Sequence, residues 1–248
     1  MDTYLSLVND FVRETALSGG SALDSVINAT GDQAKAAYWI KQANNQIQRE
    51  WLNWDFLWVS TTQNLTQDST IVPPETEKIP VIPGQPDKIS IGIINFIKRK
   101  SLAVIAADGE AHFPVFMDWN NSDFVRFYTY ETQDPSNFPA WWSMRPDRTI
   151  LLSEPIESSD LTCRYDFHRK PRQFYEDADI PLIPEDFTRL IVVTAKIMYA
   201  EHEDAPEVSA GAHEEYDYLL SEMEAAHLPD QGFNRESHSD ADLVVVPE

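Results

Sequence analysis

The chain has 248 residues, 42% of them hydrophobic and 11% aromatic, enough to bury a sizeable core in one or two domains. Its 41 acidic residues outnumber 19 basic ones, for a net charge of −22, which argues against a surface that grips phosphates, since that affinity comes from lysines and arginines releasing counterions. A single cysteine, Cys163, excludes an internal disulfide and a cysteine-based zinc site; no basic head with a long apolar run marks a signal peptide, and no apolar stretch approaches the ~20 residues that span a bilayer.

In chain order, the first expected helix covers residues 2–17, with Tyr4, Leu7, Val8, Phe11 and Val12 on one face at the three-and-four spacing of a buried stripe. Gly19 and Gly20 are its expected punctuation. A second helix is predicted to open at Thr30, with Gln33 completing a reciprocal capping box, and to run to about Trp54. Its apolar stripe is Ala36, Ile40, Ala43, Ile47 and Trp51, with Asn and Gln filling the other faces. At Leu57, Val59 and Thr61 the pattern changes to alternation, the mark of a strand. From there to Arg169 short apolar runs alternate with Pro, Gly, Asn and Asp, which reads as β structure. One segment, "NNSDFVRFYTYE", also fits a short helix capped near Ser122.

Helical texture returns after "IPLIPED". Pro184 suits a first helical position, and Glu185 and Asp186 suit the positive end of the helix dipole. Phe187, Leu190, Ile191, Thr194, Ile197 and Met198 form the expected buried stripe, and Pro206 starts a last helix with Val208, Ala212, Tyr216, Leu219, Met223 and Ala226 inward. The expected fold is therefore α+β: a bundle of about four helices, a β-rich insert between the second and third, and an extended C-terminal tail. The divisions are 1–56 for the N-terminal helices, 57–180 for the insert, 181–229 for the closing helix pair and 230–248 for the tail.

Enzyme chemistry finds little footing. There is no glycine-rich phosphate loop, no strand–glycine–helix fingerprint and no serine elbow. His202, His213 and His227 lack the four-residue spacing of helical metal pairs. "EDADIPLIPED" offers five carboxylates but no glycine for a calcium loop, and two prolines stiffen it. Cys163 sits in an alternating strand and reads as a core residue. No catalytic residue, metal or cofactor is predicted. "WLNWDFLW" and "PAWWSMRP" are stacking candidates for carbohydrate or single-stranded nucleic acid, but only Arg49 accompanies the first and Arg145 and Arg148 the second; such stacking wants interleaved basic residues, so core or interface packing is the better reading.

Three stretches in order resemble the phage head-to-tail adaptor proteins, the connector subunits that dock beneath the portal. The first, "YWIKQANNQIQREWLNWDFLW", matches at Trp39, Ile40, Ala43, Ile47, Gln48, Trp54, Phe56 and Leu57. The second is "FPAWWSMRPDRTILLSEPIESSDLTCRYDFHRKP", a Pro-aromatic strand and two further strands. The third, from "DIPLIPEDF" to "EEYDYLLSEME" and "HLP", looks like the closing helix pair. The resemblance implies a structural virion protein in the neck, made in the host cytoplasm, with no membrane association. It implies a twelve-fold ring with the portal protein above, a tail nozzle or tube protein below, and double-stranded DNA passing through without sequence-specific binding. Twelve copies at −22 carry about −264, a charge that weakens contacts between channel wall and duplex. Trp141 and Trp142 become candidates for subunit or tail contacts, as does the dense basic run Lys98, Arg99 and Lys100, either by pairing with an acidic neighbour or by capping the insert.

The tail adds a reading of its own. "DQGFNRESHSDAD" has too little apolar content to fold alone, yet Leu243, Val244, Val245 and Val246 follow, closed by Pro247. Such a segment suits addition to a sheet edge on the portal or a neighbouring subunit; folding back on its own subunit is the bland alternative. For the whole chain the other readings are a carbohydrate-active or otherwise hydrolytic protein using carboxylates of the insert, and a non-viral oligomeric scaffold.

Overall fold

In a computed structural model, which describes residues 2–51, 53–78, 90–121, 134–136 and 138–228, the first apolar stripe is helix α1 (Tyr4–Thr15), with Tyr4, Leu7, Val8, Phe11 and Val12 all buried. Its cap is formed by Thr3 and Ser6: the Ser6 N–H donates to the Thr3 hydroxyl (3.2 Å) and the Thr3 N–H to the Ser6 hydroxyl (2.8 Å), a serine version of the reciprocal box. The helix ends before the glycines. Ala16 makes the left-handed exit at φ 52°, and Gly19 and Gly20 lie in the 3-10 turn beyond it.

Helix α2 (Gly31–Glu50) starts after Thr30 as expected, but the Thr30–Gln33 box is not made. The helix opens instead on Gly31 at φ 59°, a left-handed value that favours glycine. Ala36, Ile40, Ala43 and Ile47 are buried. The helix stops at Glu50 rather than Trp54, so Trp51 leaves the stripe, 38% exposed, and its indole N–H donates to Glu224 (2.7 Å). Trp54 takes the buried place instead, its N–H bonded to the Ile47 carbonyl at 3.0 Å. The amides of α2 divide: Gln46 is exposed, whereas Asn44, Asn45 and Gln48 are buried, for a structural cause described below.

At the other end of the chain Pro184 leads into a 3-10 turn, Glu185–Phe187, and helix α3 (Arg189–Glu203) follows it. Six consecutive residues, 190 to 195, are buried, because α3 packs against α1, α2 and helix α4 (Pro206–His227) at once; Ile197 and Met198 are only half-buried. Along α4, Ala212 and Met223 are buried and Tyr216 and Leu219 half-buried, while Ala226 is exposed against expectation, because the helix buries only a narrow strip. Full burial of side chains such as Phe11, Ile40 and Ile191 is worth about 1.5–3 kcal/mol each before entropy is charged.

Between α2 and α3 lie the strands β1 (Trp58–Asn64), β2 (Ile71–Val72), β3 (Thr76–Lys78), β4 (Ser90–Gly92), β5 (Ile94–Ile97), β6 (Ala103–Ile105), β7 (Ala111–His112), β8 (Val115–Phe116), β9 (Trp141–Met144), β10 (Ile150–Leu152) and β11 (Thr162–Arg169). The apolar run "ISIGIINF" breaks at Ile93 into two strands of different sheets. Strand β11 is the axis of the larger sheet. It pairs antiparallel with β1 from Trp58↔His168 to Asn64↔Thr162, and its other edge takes β6 and then β5 across a register shift at His168 and Arg169. A second sheet runs β2-β10-β9-β8, with β8 and β9 parallel, and β3 pairs β4. Side chains including Val104, Trp142, Leu152, Tyr165 and Phe167 fill one core. Cys163 lies in it, fully buried, its thiol pushed up to about 12 by burial.

The fold is α+β, with four α-helices among the described residues and the β unit inserted between the second and third. Helices and strands keep separate apolar clusters. The return path belongs to the helices earlier than residue 181: Phe174 stacks on Tyr4 (centroids 4.7 Å apart) and joins the helical core together with Ile183. Most of "NNSDFVRFYTYE" and the whole stretch from 229, including the predicted tail, lie outside the described residues.

Candidate functional site

Three turns, distant in sequence, build one cleft. The first links β5 to β6, where the Ser101 N–H donates to the Lys98 carbonyl (3.0 Å) and sets Arg99 at the corner. The second follows β8, where the Asn121 N–H donates to the Asp118 carbonyl (2.9 Å) and presents Trp119 and Asn120. The third joins β9 to β10. There the Arg148 N–H donates to the Arg145 carbonyl and the Arg145 N–H to the Thr149 carbonyl, both at 2.9 Å. Pro146 restricts φ inside this turn, and Arg148 adopts φ 71°, a place that hairpin loops of this length normally give to glycine. An arginine there costs on the order of 1 kcal/mol. Asp147 steadies the turn by accepting the Thr149 N–H (3.0 Å), a bond that holds its carboxyl below the usual range.

The cleft has a volume of about 490 Å3. The Arg99 guanidinium lies over the Phe116 ring (4.6 Å) and that of Arg145 over Trp119 (5.6 Å). Stacking of this kind orients a guanidinium plane while leaving its N–H edges for hydrogen bonds. Arg148 also lines the space. The acidic side chain among the lining residues is Asp118, 3.4 Å from Arg99 across a pair whose side chains are 67% and 62% exposed, and such a pair is held weakly. Trp142 closes the wall, fully buried and edge-on to Phe116 at 4.8 Å. Among the described residues its buried indole N–H has no acceptor. The site therefore gathers donors and positive charge on apolar rings, within a strongly acidic chain.

Of the residues expected to make contacts, Arg99 stands in this cleft, paired with an acidic neighbour. Lys98 turns elsewhere, its ammonium 4.5 Å above the Trp58 ring; Lys100 is exposed. Trp142 is core, in line with the packing reading of its aromatic run, and Trp141, one residue away on the other face, is half-buried. The predicted tail residues Leu243, Val244, Val245, Val246 and Pro247 lie outside the described residues. Phe116, Asp118 and Trp119 were missed because no local pattern marks them. The Arg-Pro-Asp-Arg turn between two apolar strands was the available signal.

The other polar clusters have structural work. Asp177 accepts the Ser25 hydroxyl and the Val26 N–H, both at 2.7 Å, and Asp179 accepts the N–H groups of Tyr175 and Glu176. His202 bonds Glu203 (3.2 Å), and His227 bonds Asp55 (2.8 Å) with its ring against Phe187. Among the described residues no group of three or more His, Cys, Asp or Glu side chains is placed to hold a metal ion, and no helix is long and apolar enough to cross a membrane. No protein-family model matches the chain, and a search of curated proteins finds no match.

Proposed function

We propose that this protein is a structural component of a virion, an adaptor that forms a ring between portal and tail and surrounds the DNA path. The observation that carries the reading is the division into two cores: a layer of helices interrupted by a β unit with its own apolar cluster. In a ring, the helical part packs side by side as the wall and the β unit reaches tail components. A net charge of −22 per copy suits a channel along which a polyanion slides without being held. The portal lies above and a nozzle or tail-tube protein below, and the protein resides in the particle neck. The chemistry of the cleft suits protein contact, since stacked arginines and tryptophans are frequent anchors of interfaces.

Affinity capture of tagged protein with candidate portal and tail proteins, followed by electron cryomicroscopy of particles, tests this. Co-purification with a portal and twelve copies in the neck are expected. Failure to associate with any portal or tail component overturns the reading.

A further inference from the structure

The cleft on the β unit is lined by three arginines, with Asp118 as the acidic side chain among them. Such a site calls for a ligand rich in carboxylate acceptors that also brings apolar groups for Phe116, Trp119 and Met144. The sequence contains such a segment. Between 236 and 248 it carries Glu236, Asp240, Asp242 and Glu248 with no lysine or arginine, and Leu243, Val244, Val245 and Val246 adjoin the acidic pair. Helix α4 ends at His227, and the nine residues from 228 to 236 reach about 30 Å when extended, far enough to leave the subunit that carries them.

We propose that the acidic-apolar segment 236–246 of a second copy occupies this cleft. Asp240 and Asp242 meet the N–H edges of Arg99, Arg145 and Arg148, geometry that favours paired hydrogen bonds to carboxylate. Leu243 and Val245, two apart on an extended chain, cover the ring surfaces. The left-handed backbone at Arg148 then belongs to a turn that sets this arginine beside Arg145 at the rim of a site for an anion carried by an apolar strand. Docking rests on the ring reading only in that neighbouring copies are at hand; avidity around a closed ring multiplies a contact that is weak alone. Nucleic acid is the competing occupant of a basic, aromatic surface, but its dense charge is repelled by the rest of the molecule.

Two full-length variants provide the test: R99E/R145E, which reverses the cleft, and D240K/D242K, which reverses the tail. Both arginines stand on turns rather than in a core, and an unchanged far-ultraviolet circular dichroism spectrum with a single cooperative melting transition verifies that each variant folds. A labelled peptide of residues 234–248 is titrated into the D240K/D242K chain, whose own tail cannot compete. Binding is expected to weaken about tenfold or more when R99E/R145E is added, and a peptide with both aspartates reversed is expected to bind the R99E/R145E chain, whose own acidic tail cannot compete for the reversed cleft. In sedimentation, neither variant alone associates as the wild type does, whereas their mixture associates again, each tail finding a cleft of opposite charge on the other variant. Peptide binding indifferent to R99E/R145E overturns the proposal. So does a mixture that stays monomeric, or cleft-dependent binding of oligothymidylate in place of the peptide. All these measurements use this protein alone, so failure to capture a portal leaves them standing, and their failure leaves portal capture standing.

Discussion

Gln48 uses both ends of its amide on one backbone residue. Its Oε1 accepts the Arg172 N–H (2.9 Å) and its Nε2 donates to the Arg172 carbonyl (3.1 Å) and to the Asn44 carbonyl (3.0 Å), while the Asn44 Nδ2 donates to Arg172 as well (2.9 Å). These amides fasten the chain returning from the β unit onto α2, inside the helical core. Gln48→Leu keeps the volume but removes the amide partner of the part-buried Arg172 N–H and of two carbonyls, so a loss of about 1–2 kcal/mol is expected in urea unfolding. Gln46→Leu, at an exposed position two residues away, should stay within about 0.5 kcal/mol. Equal effects at the two positions would show that the amide clamp contributes nothing. Periodicity could not reveal this: it counts apolar residues, and a buried glutamine looks like a solvated one until its backbone partner, more than a hundred residues away, is in place. Tyr4, Leu7, Val8, Phe11 and Val12 were legible for the converse reason, since their spacing alone defines the buried face.

Helix α1 meets α3 and α4 through a charge network whose members sit badly on their own helices. Glu14 lies in the last turn of α1, at the negative end of its dipole, and Arg189 opens α3 at the positive end; each placement is unfavourable alone. Paired, they offset each other. Arg189 bonds both Glu14 oxygens and reaches Glu215 of α4 (2.8 Å), and Lys196 adds a bond to Glu14 (3.0 Å). Burial pushes the Glu14 carboxyl upward, but the hydrogen bonds from Arg189 and Lys196 outweigh it and hold the group below its usual range. A carboxyl depressed in the folded state contributes stability above its unfolded value, and that contribution fades as pH falls through the folded value. Glu14→Gln should therefore cost about 1 kcal/mol at pH 7, a modest figure because the cluster is partly solvated. The gap to wild type should close progressively below about pH 4.5. A gap that persists unchanged into acid would mean that packing, not charge, accounts for the loss. The four helices and the β-rich insert could be read from stripes and proline boundaries, but helix ends could not. Trp51 looked like the next member of the α2 stripe, and only the helix stop at Glu50 sends it to Glu224.

At the scale of the molecule the decisive quantity is an excess of like charge. Self-repulsion at −22 opposes the compact state and is screened by salt within about 10 Å at 0.1 M. Added salt should therefore stabilise the fold while weakening the proposed contact between the acidic segment and the cleft. Between 10 and 200 mM sodium chloride the melting temperature is expected to rise by about 2–5 °C, as peptide affinity for the cleft declines. The cleft itself was invisible along the chain. Its walls come from turns at 98–101, 118–121 and 145–149 that only β pairing brings together, and Trp141 and Trp142 could not be told apart as half-buried and core because alternation does not say which face of β9 is inside. Charge arithmetic now separates the two effects: R99E/R145E changes two residues by −2 each, taking the chain from −22 to −26. That variant should melt lower at 10 mM salt and gain more from added salt than wild type, because its added charges stand unopposed. A salt response identical to wild type would mean that the three arginines already face enough carboxylate within the single chain, and that no acidic partner is needed to neutralise the cleft.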